Sequence, residues 1–91
     1  MIYNEAINRL REGIGFKNDS SNTTVTLFSV DEDAETVNCE VKIQGLTPNG
    51  YLFGDPKRTE IYLELKKLTN FLSVIEFRNY VEYTIKERLK K

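Results

Sequence analysis

Residues 36–44 alternate between apolar and polar side chains. The apolar members are Val37, Cys39, Val41 and Ile43, and the polar members between them are Asn38, Glu40 and Lys42. Because successive side chains of a β-strand point to opposite faces of a sheet, this pattern predicts a strand with one buried face and one solvated face. Such a strand is typical of an antiparallel sheet that has helices on one side only.

A β-hairpin is predicted on the N-terminal side of this strand. Residues 23–30 are rich in β-branched side chains, which favour strands. The acidic segment 31–35 then separates the two strands and is expected to form the turn between them. The polar residues 17–22, which precede the hairpin, are expected to form an exposed loop.

Turn signals also follow on the C-terminal side. Thr-Pro-Asn-Gly at 47–50 is typical of a tight turn, because proline presets the backbone angle and Asn-Gly tolerates a positive φ. Residues 51–53 then predict a short third strand. Gly-Asp-Pro at 54–56 predicts a break in the chain.

Residues 58–72 fit two patterns. The alternation of a fourth strand is seen at Ile61, Leu63 and Leu65. The spacing of a helix is seen at Ile61, Leu65, Leu68 and Leu72. The Glu, Leu and Lys content, and an Asp55-Pro56 pair that could begin a helix, favour helix slightly over strand. Periodicity alone does not separate the two.

Two amphipathic helices are predicted, over residues 2–14 and 74–90. The apolar stripe of the first is Tyr3, Ala6, Ile7, Leu10 and Ile14, and that of the second is Val74, Phe77, Val81, Ile85 and Leu89. The predicted fold class is therefore α+β. It has an N-terminal helix, a small antiparallel β-meander of three to four strands, and a C-terminal helix or helices packed on one sheet face. Residues 1–91 are expected to form one domain.

The residue types present argue against catalysis. The chain has no histidine and one cysteine, Cys39, which lies on the apolar side of a predicted strand without a base to activate it. We therefore expect no enzymatic activity, no cofactor and no metal site. An enzyme that used carboxylates with Tyr or Lys alone would need a cleft around Asp55, Glu60 or Glu64.

The acidic segment invites comparison with a calcium-binding loop. Asp31, Asp33 and Glu35 stand at alternate positions, as at the start of an EF-hand loop. The sixth position, however, is Thr36 where glycine is needed, and the twelfth is Lys42 where a bidentate Glu is needed. We therefore interpret this segment as a solvated turn that can contact a basic surface.

Charge is distributed unevenly along the chain. Residues 1–50 contain eight acidic and four basic residues, a net charge of −4, whereas residues 51–91 contain six acidic and nine basic residues, a net charge of +3. Such polarity can orient a protein on a charged partner. The residues predicted to bind a protein are Asp31, Glu32, Asp33, Glu35, Tyr51 and Tyr62.

These features predict a non-catalytic module that binds a larger protein. Its size suits a small inhibitor or adaptor of the kind that phages and other mobile elements encode to bind a host protein. The alternative is a nucleic-acid-binding accessory protein that uses the basic C-terminal helix. The residues of that alternative are Arg78, Tyr80, Lys86, Arg88, Lys90 and Lys91.

Two further expectations concern assembly and location. The edges of a small open sheet allow strand addition, so a homodimer is a second kind of partner to consider. The sequence shows neither a secretion signal nor an apolar run of the roughly 20 residues that span a bilayer. We therefore expect a cytoplasmic protein without membrane contact.

Overall fold

The computed structural model describes residues 3–69 and 73–90. Its elements, in chain order, are α1 (Tyr3–Glu12), β1 (Ile14–Lys17), β2 (Ser21–Asp31), β3 (Thr36–Leu46), β4 (Leu52–Glu64), α2 (Leu65–Leu68) and α3 (Val74–Leu89). The four strands form a sheet in the order β1-β2-β3-β4, and each strand runs antiparallel to its neighbours. The predicted α+β class and antiparallel meander are confirmed.

The hydrophobic core lies between one face of the sheet and the helices. Leu10 from α1 and Phe77 from α3 are fully buried against apolar side chains of the strands. The strand members of this core are Ile14, Val25, Val37, Cys39, Val41, Ile61 and Leu63. Burying each large apolar side chain contributes about 1.5–3 kcal/mol relative to leaving it exposed. The other face has no helix upon it among the described residues and is largely polar.

The first helix is shorter than predicted. Gly13 has a φ of 96°, a left-handed conformation that glycine adopts without strain, and its N–H donates to the carbonyl oxygens of Arg9 and Leu10. Ile14 therefore begins β1, where it pairs with Val25, and is not part of the helix. Ile2, which the prediction included, lies outside the described residues.

The predicted loop 17–22 is also shorter in the structure. Lys17 ends β1 and Ser21 begins β2, which leaves residues 18–20 as the turn. The side-chain oxygen Oδ1 of Asn18 accepts hydrogen bonds from the backbone N–H groups of Ser20 and Ser21, at 2.9 and 2.8 Å. This local capping lets two strands approach each other across a segment whose composition is that of a loop.

Two predictions are wrong in the region of strand β4. The slight preference for helix over residues 58–72 is wrong for residues 58–64, and the predicted break at 54–56 lies inside the strand. Ile61 and Leu63 pair with Cys39 and Val37 of β3 and are buried, so the alternating pattern outweighs the helix-favouring composition. Helix is present only as the single turn α2, and residues 70–72 lie outside the described residues.

The C-terminal helix agrees with its prediction. Ser73 precedes α3, and its hydroxyl oxygen accepts a hydrogen bond from the N–H of Glu76 at 3.2 Å, which satisfies one of the open donors of the first turn. Phe77, Val81 and Ile85 face the core.

Candidate protein-binding surface

The residues predicted to bind a protein lie at two opposite ends of the sheet. The acidic segment joins β2 to β3, whereas Tyr51 belongs to the turn that joins β3 to β4. Strand β3 separates the two turns, and the ten residue steps from Thr36 to Leu46 span about 33 Å at 3.3 Å per step. A single compact interface does not include both, so Tyr51 is separate from the other predicted residues.

The acidic turn has a defined conformation. The Oδ1 atom of Asp31 accepts a hydrogen bond from the N–H of Ala34 at 3.0 Å, and the N–H of Glu35 donates to the carbonyl oxygen of Glu32 at 3.3 Å. Glu35 has a φ of 55°, the left-handed conformation that closes a tight turn. All five residues from 31 to 35 are exposed. Their carboxylates are therefore displayed on an ordered support.

One end of this turn is held against the start of α2. The carbonyl oxygen of Glu35 accepts a hydrogen bond from the N–H of Leu65 at 2.9 Å, and its Oε2 atom lies 3.2 Å from Nζ of Lys66. Glu32 and Asp33 have no ion-pair partner among residues 3–69 and 73–90. These two carboxylates are consequently the ones most available to an outside cation.

Two exposed aromatic side chains lie close to the acidic turn along the sheet. Tyr62 of β4 pairs with Asn38 of β3 and is 56% exposed. On its other side, Asn38 pairs with Ser29 of β2. Phe28, the residue before Ser29, lies at an irregularity in the strand register and is 70% exposed. We call these six residues the acidic–aromatic end: Phe28, Asp31, Glu32, Asp33, Glu35 and Tyr62.

Phe28 was not among the predicted site residues, although the sequence contained a signal for it. Val25 and Leu27 alternate with Thr24 and Thr26 in β2, so the next residue, Phe28, falls on the polar side of that alternation. A large aromatic residue at a position expected to be solvated indicates a contact surface.

The predicted nucleic-acid residues contact the sheet instead of forming an open row. Arg78 donates a hydrogen bond to the carbonyl oxygen of Gly15 at 2.9 Å, and its guanidinium lies 4.6 Å from the centre of the Phe16 ring. The hydroxyl oxygen of Tyr80 accepts from the N–H of Glu64 at 2.9 Å. These two side chains are half-buried.

The remaining described basic residues of this prediction, in α3 and just after it, also have partners within the chain. The Nε group of Arg88 donates to the carbonyl oxygen of Glu60 at 3.3 Å. Nζ of Lys86 lies 3.7 Å from Glu82, and Nζ of Lys90 lies 3.1 Å from Glu87. Lys91, also named in the prediction, lies outside the described residues. Phosphate binding by these groups would therefore compete with existing contacts.

Cys39 is fully buried in the sheet, as expected for a small apolar side chain. Burial disfavours the charged thiolate and raises the pKa of Cys39 from 9.0 to about 12. The thiol is therefore protonated and inaccessible at neutral pH.

The acidic residues of β4 do not converge on a cleft. Asp55, Glu60 and Glu64 are all exposed, and nine residues of extended strand, about 30 Å at 3.3 Å per residue, separate the first from the last. Within residues 3–69 and 73–90, no group of three or more His, Cys, Asp or Glu side chains could hold a metal ion. No helix in the described ranges is long and apolar enough to cross a membrane.

A shallow groove lies beside the C-terminal part of α3. Its cavity volume is about 210 Å³, and its apolar lining consists of Phe16, Ile43, Ile85 and Leu89. Its polar lining includes Lys17, Glu82 and Lys86. The lining of the groove shows that the end of α3 lies beside the β1–β2 turn. This turn is at the start of β2, whereas the acidic turn is at its end.

Comparison with models of known protein families, with characterised proteins and with solved structures found no match to this chain.

Proposed function

We propose that the chain is a non-catalytic protein-interaction module that binds a positively charged surface of a larger protein through its acidic–aromatic end. One observation carries this proposal: an ordered turn displays exposed carboxylates close to two exposed aromatic side chains, Phe28 and Tyr62.

The two kinds of side chain would contribute differently to binding. Aromatic residues bury a large area at low conformational cost and are enriched among the residues that dominate interface energies. Carboxylates such as those of Glu32 and Asp33 accelerate the encounter with a basic surface and disfavour acidic partners. Together they supply affinity from the rings and selectivity from the charges.

The rigidity of the turn supports the same proposal. Hydrogen bonds of Asp31 and Glu35 already fix its backbone in the free chain. A surface that is ordered before binding loses less conformational entropy when the complex forms. More specifically, we propose that the chain is a small inhibitor or adaptor, of the kind that phages or mobile elements encode, and that it occludes or bridges a host protein.

The nucleic-acid alternative has less support. Arg78, Tyr80 and Arg88 make contacts with backbone groups of the sheet, and the described lysines of the same helix are paired with glutamates. Nucleic-acid binding is therefore an outcome of the test below and not a second proposal.

The test is an affinity capture from host lysate with the tagged chain, with and without nuclease. The variant Glu32→Lys/Asp33→Lys reverses the two unpaired carboxylates and leaves Asp31 and Glu35, which hold the turn, unchanged. The control Glu12→Lys/Asp19→Lys makes the same change of net charge at two exposed positions outside the acidic–aromatic end.

We expect the wild type and the control to retain the same protein after nuclease treatment. The turn variant should retain it roughly tenfold less, because reversed charges slow the encounter and repel the basic partner. Equal retention by both variants would contradict the proposed surface. Retention that disappears with nuclease would favour the nucleic-acid alternative.

A further inference from the structure

Strand β4 is an edge strand, because the sheet ends with it. Among residues 3–69 and 73–90, one side of its backbone therefore has no neighbouring strand, and such an edge can pair with a strand of another chain. In an antiparallel ladder the N–H and C=O groups of alternate residues point to the same side. Glu60, Tyr62 and Glu64 are alternate residues and share one orientation.

Two side chains of α3 bind backbone groups of this edge. The hydroxyl of Tyr80 accepts from the N–H of Glu64 at 2.9 Å, and Nε of Arg88 donates to the carbonyl oxygen of Glu60 at 3.3 Å. Tyr80 and Arg88 are eight residues apart in a helix, about 12 Å, and Glu60 and Glu64 are four residues apart in a strand, about 13 Å. The later helix residue contacts the earlier strand residue, so α3 runs antiparallel to β4, and the matching spacings let both side chains reach its edge.

Tyr62 lies between these two contacts. A cleft of about 210 Å³ separates the strand from the helix there, lined by Ile61, Tyr62, Thr84, Glu87 and Arg88. Pro56 lies four residues before Glu60, so its backbone faces the same side of β4. Because proline lacks an N–H group, it weakens strand pairing at that point. The edge is thus covered or interrupted at Pro56, Glu60 and Glu64.

If α3 did not cover it, this edge would be complementary to itself. In an antiparallel pair of two β4 strands, a register that places Arg58 opposite Glu60 of the second copy also places Glu60 opposite Arg58. Opposite charges in directly facing positions stabilise a strand pair, whereas like charges destabilise it. Within one chain Nη1 of Arg58 lies 2.7 Å from Oε1 of Glu40, so in the dimer Arg58 would be shared between Glu40 and Glu60 of the second copy. The same register pairs Thr59 with itself and leaves Pro56 at the end of the paired segment.

We propose that α3 acts as a strap over the edge of β4, through Tyr80 and Arg88, and keeps the chain monomeric. Loss of the two contacts frees the edge to pair with β4 of a second copy in the Arg58–Glu60 register. This inference does not rest on the proposed function, because it concerns the opposite side of β4 from β3 and requires no foreign protein, although Tyr62 belongs to both surfaces.

The experiment compares masses by sedimentation equilibrium over a range of concentrations. The strap variant is Tyr80→Phe/Arg88→Ala, and its matched control is Tyr83→Phe/Lys86→Ala, which changes the same kinds of side chain at exposed positions of the same helix. We expect 10.6 kDa for the wild type and the control, and twice that mass for the strap variant at high concentration.

Charge-changing substitutions in β4 test the proposed register of the dimer. Adding Arg58→Glu to the strap variant places glutamate opposite Glu60 and should restore the monomer, and further adding Glu60→Arg should restore the dimer. A folded strap variant that stays monomeric, a dimer indifferent to Arg58→Glu, or a dimeric wild type would overturn the proposal. If the double variant fails to fold, Tyr80→Phe/Arg88→Met, which removes the same two contacts and keeps the length of both side chains, is measured in its place. A folded monomer there at all concentrations overturns the proposal equally.

Discussion

Cys39 lies at the centre of the buried face of β3, opposite Leu27 of β2 and Ile61 of β4. It is fully buried, and burial raises the pKa of its thiol to about 12. A thiol that stays protonated in the folded chain but ionises in the unfolded chain links stability to pH. The role of this residue is therefore to pack, and its ionisation opposes folding.

The effect of Cys39 ionisation on the free energy of unfolding can be measured in alkaline solution. Above pH 9 the unfolded chain releases the Cys39 proton while the folded chain keeps it until about pH 12. The free energy of unfolding should therefore fall with rising pH in this window, by up to about 1.4 kcal/mol per pH unit from this group. Urea unfolding between pH 8 and 10.5 should show that component in the wild type and not in Cys39→Ala. Parallel curves for the two proteins throughout would contradict the assignment.

At the scale of elements, β4 decides the architecture, because it completes the sheet and places the acidic turn beside α2. Its pairing with β3 buries Ile61 and Leu63, and Tyr62 between them is 56% exposed. Ile61 belongs to both the strand pattern and the helical pattern of the sequence, whereas Leu63 belongs to the strand pattern alone. Leu63 is therefore the residue that distinguishes the two.

Truncating Leu63 tests the strand directly. Leu63→Ala removes a fully buried side chain and should lower the free energy of unfolding by about 2–5 kcal/mol. Leu52→Ala, at the start of the same strand, truncates a side chain that is 65% exposed and should change it by less than about 0.5 kcal/mol. Chemical denaturation measures both. A small effect at Leu63 would show that this position is not in the core.

The same elements show how far sequence reasoning reaches. The alternation around Cys39 predicted β3 correctly, because burial on one face leaves a period of two in the sequence. The assignment of residues 58–64 failed because intrinsic helix preference competes with pairing to a distant strand, and only the pairing is decisive. The contacts of Tyr80 and Arg88 with β4 depend on how a helix lies across a sheet, which no local pattern encodes.

At the scale of the whole molecule, the acidic turn and the C-terminal part of α3 lie at opposite ends. The molecule is elongated, 41 Å by 24 Å by 23 Å. The acidic turn lies at one end of β2, and the C-terminal part of α3, which carries Lys86, lies beside the β1–β2 turn at the other end. Lys66 moderates the acidic end by pairing with Glu35, but Glu32 and Asp33 stay exposed. Such a molecule can present one end to a basic partner while the other end faces away.

The most direct test of the proposed surface is hydrogen exchange of the chain alone and in complex with the captured partner, read by mass spectrometry. We expect slower exchange over residues 28–36 and 60–64, which contain or adjoin the acidic–aromatic end. Exchange over 14–17, 47–52 and 84–90 should be unchanged. Protection confined to the C-terminal part of α3 or to the β3–β4 turn would place the partner elsewhere and contradict the account.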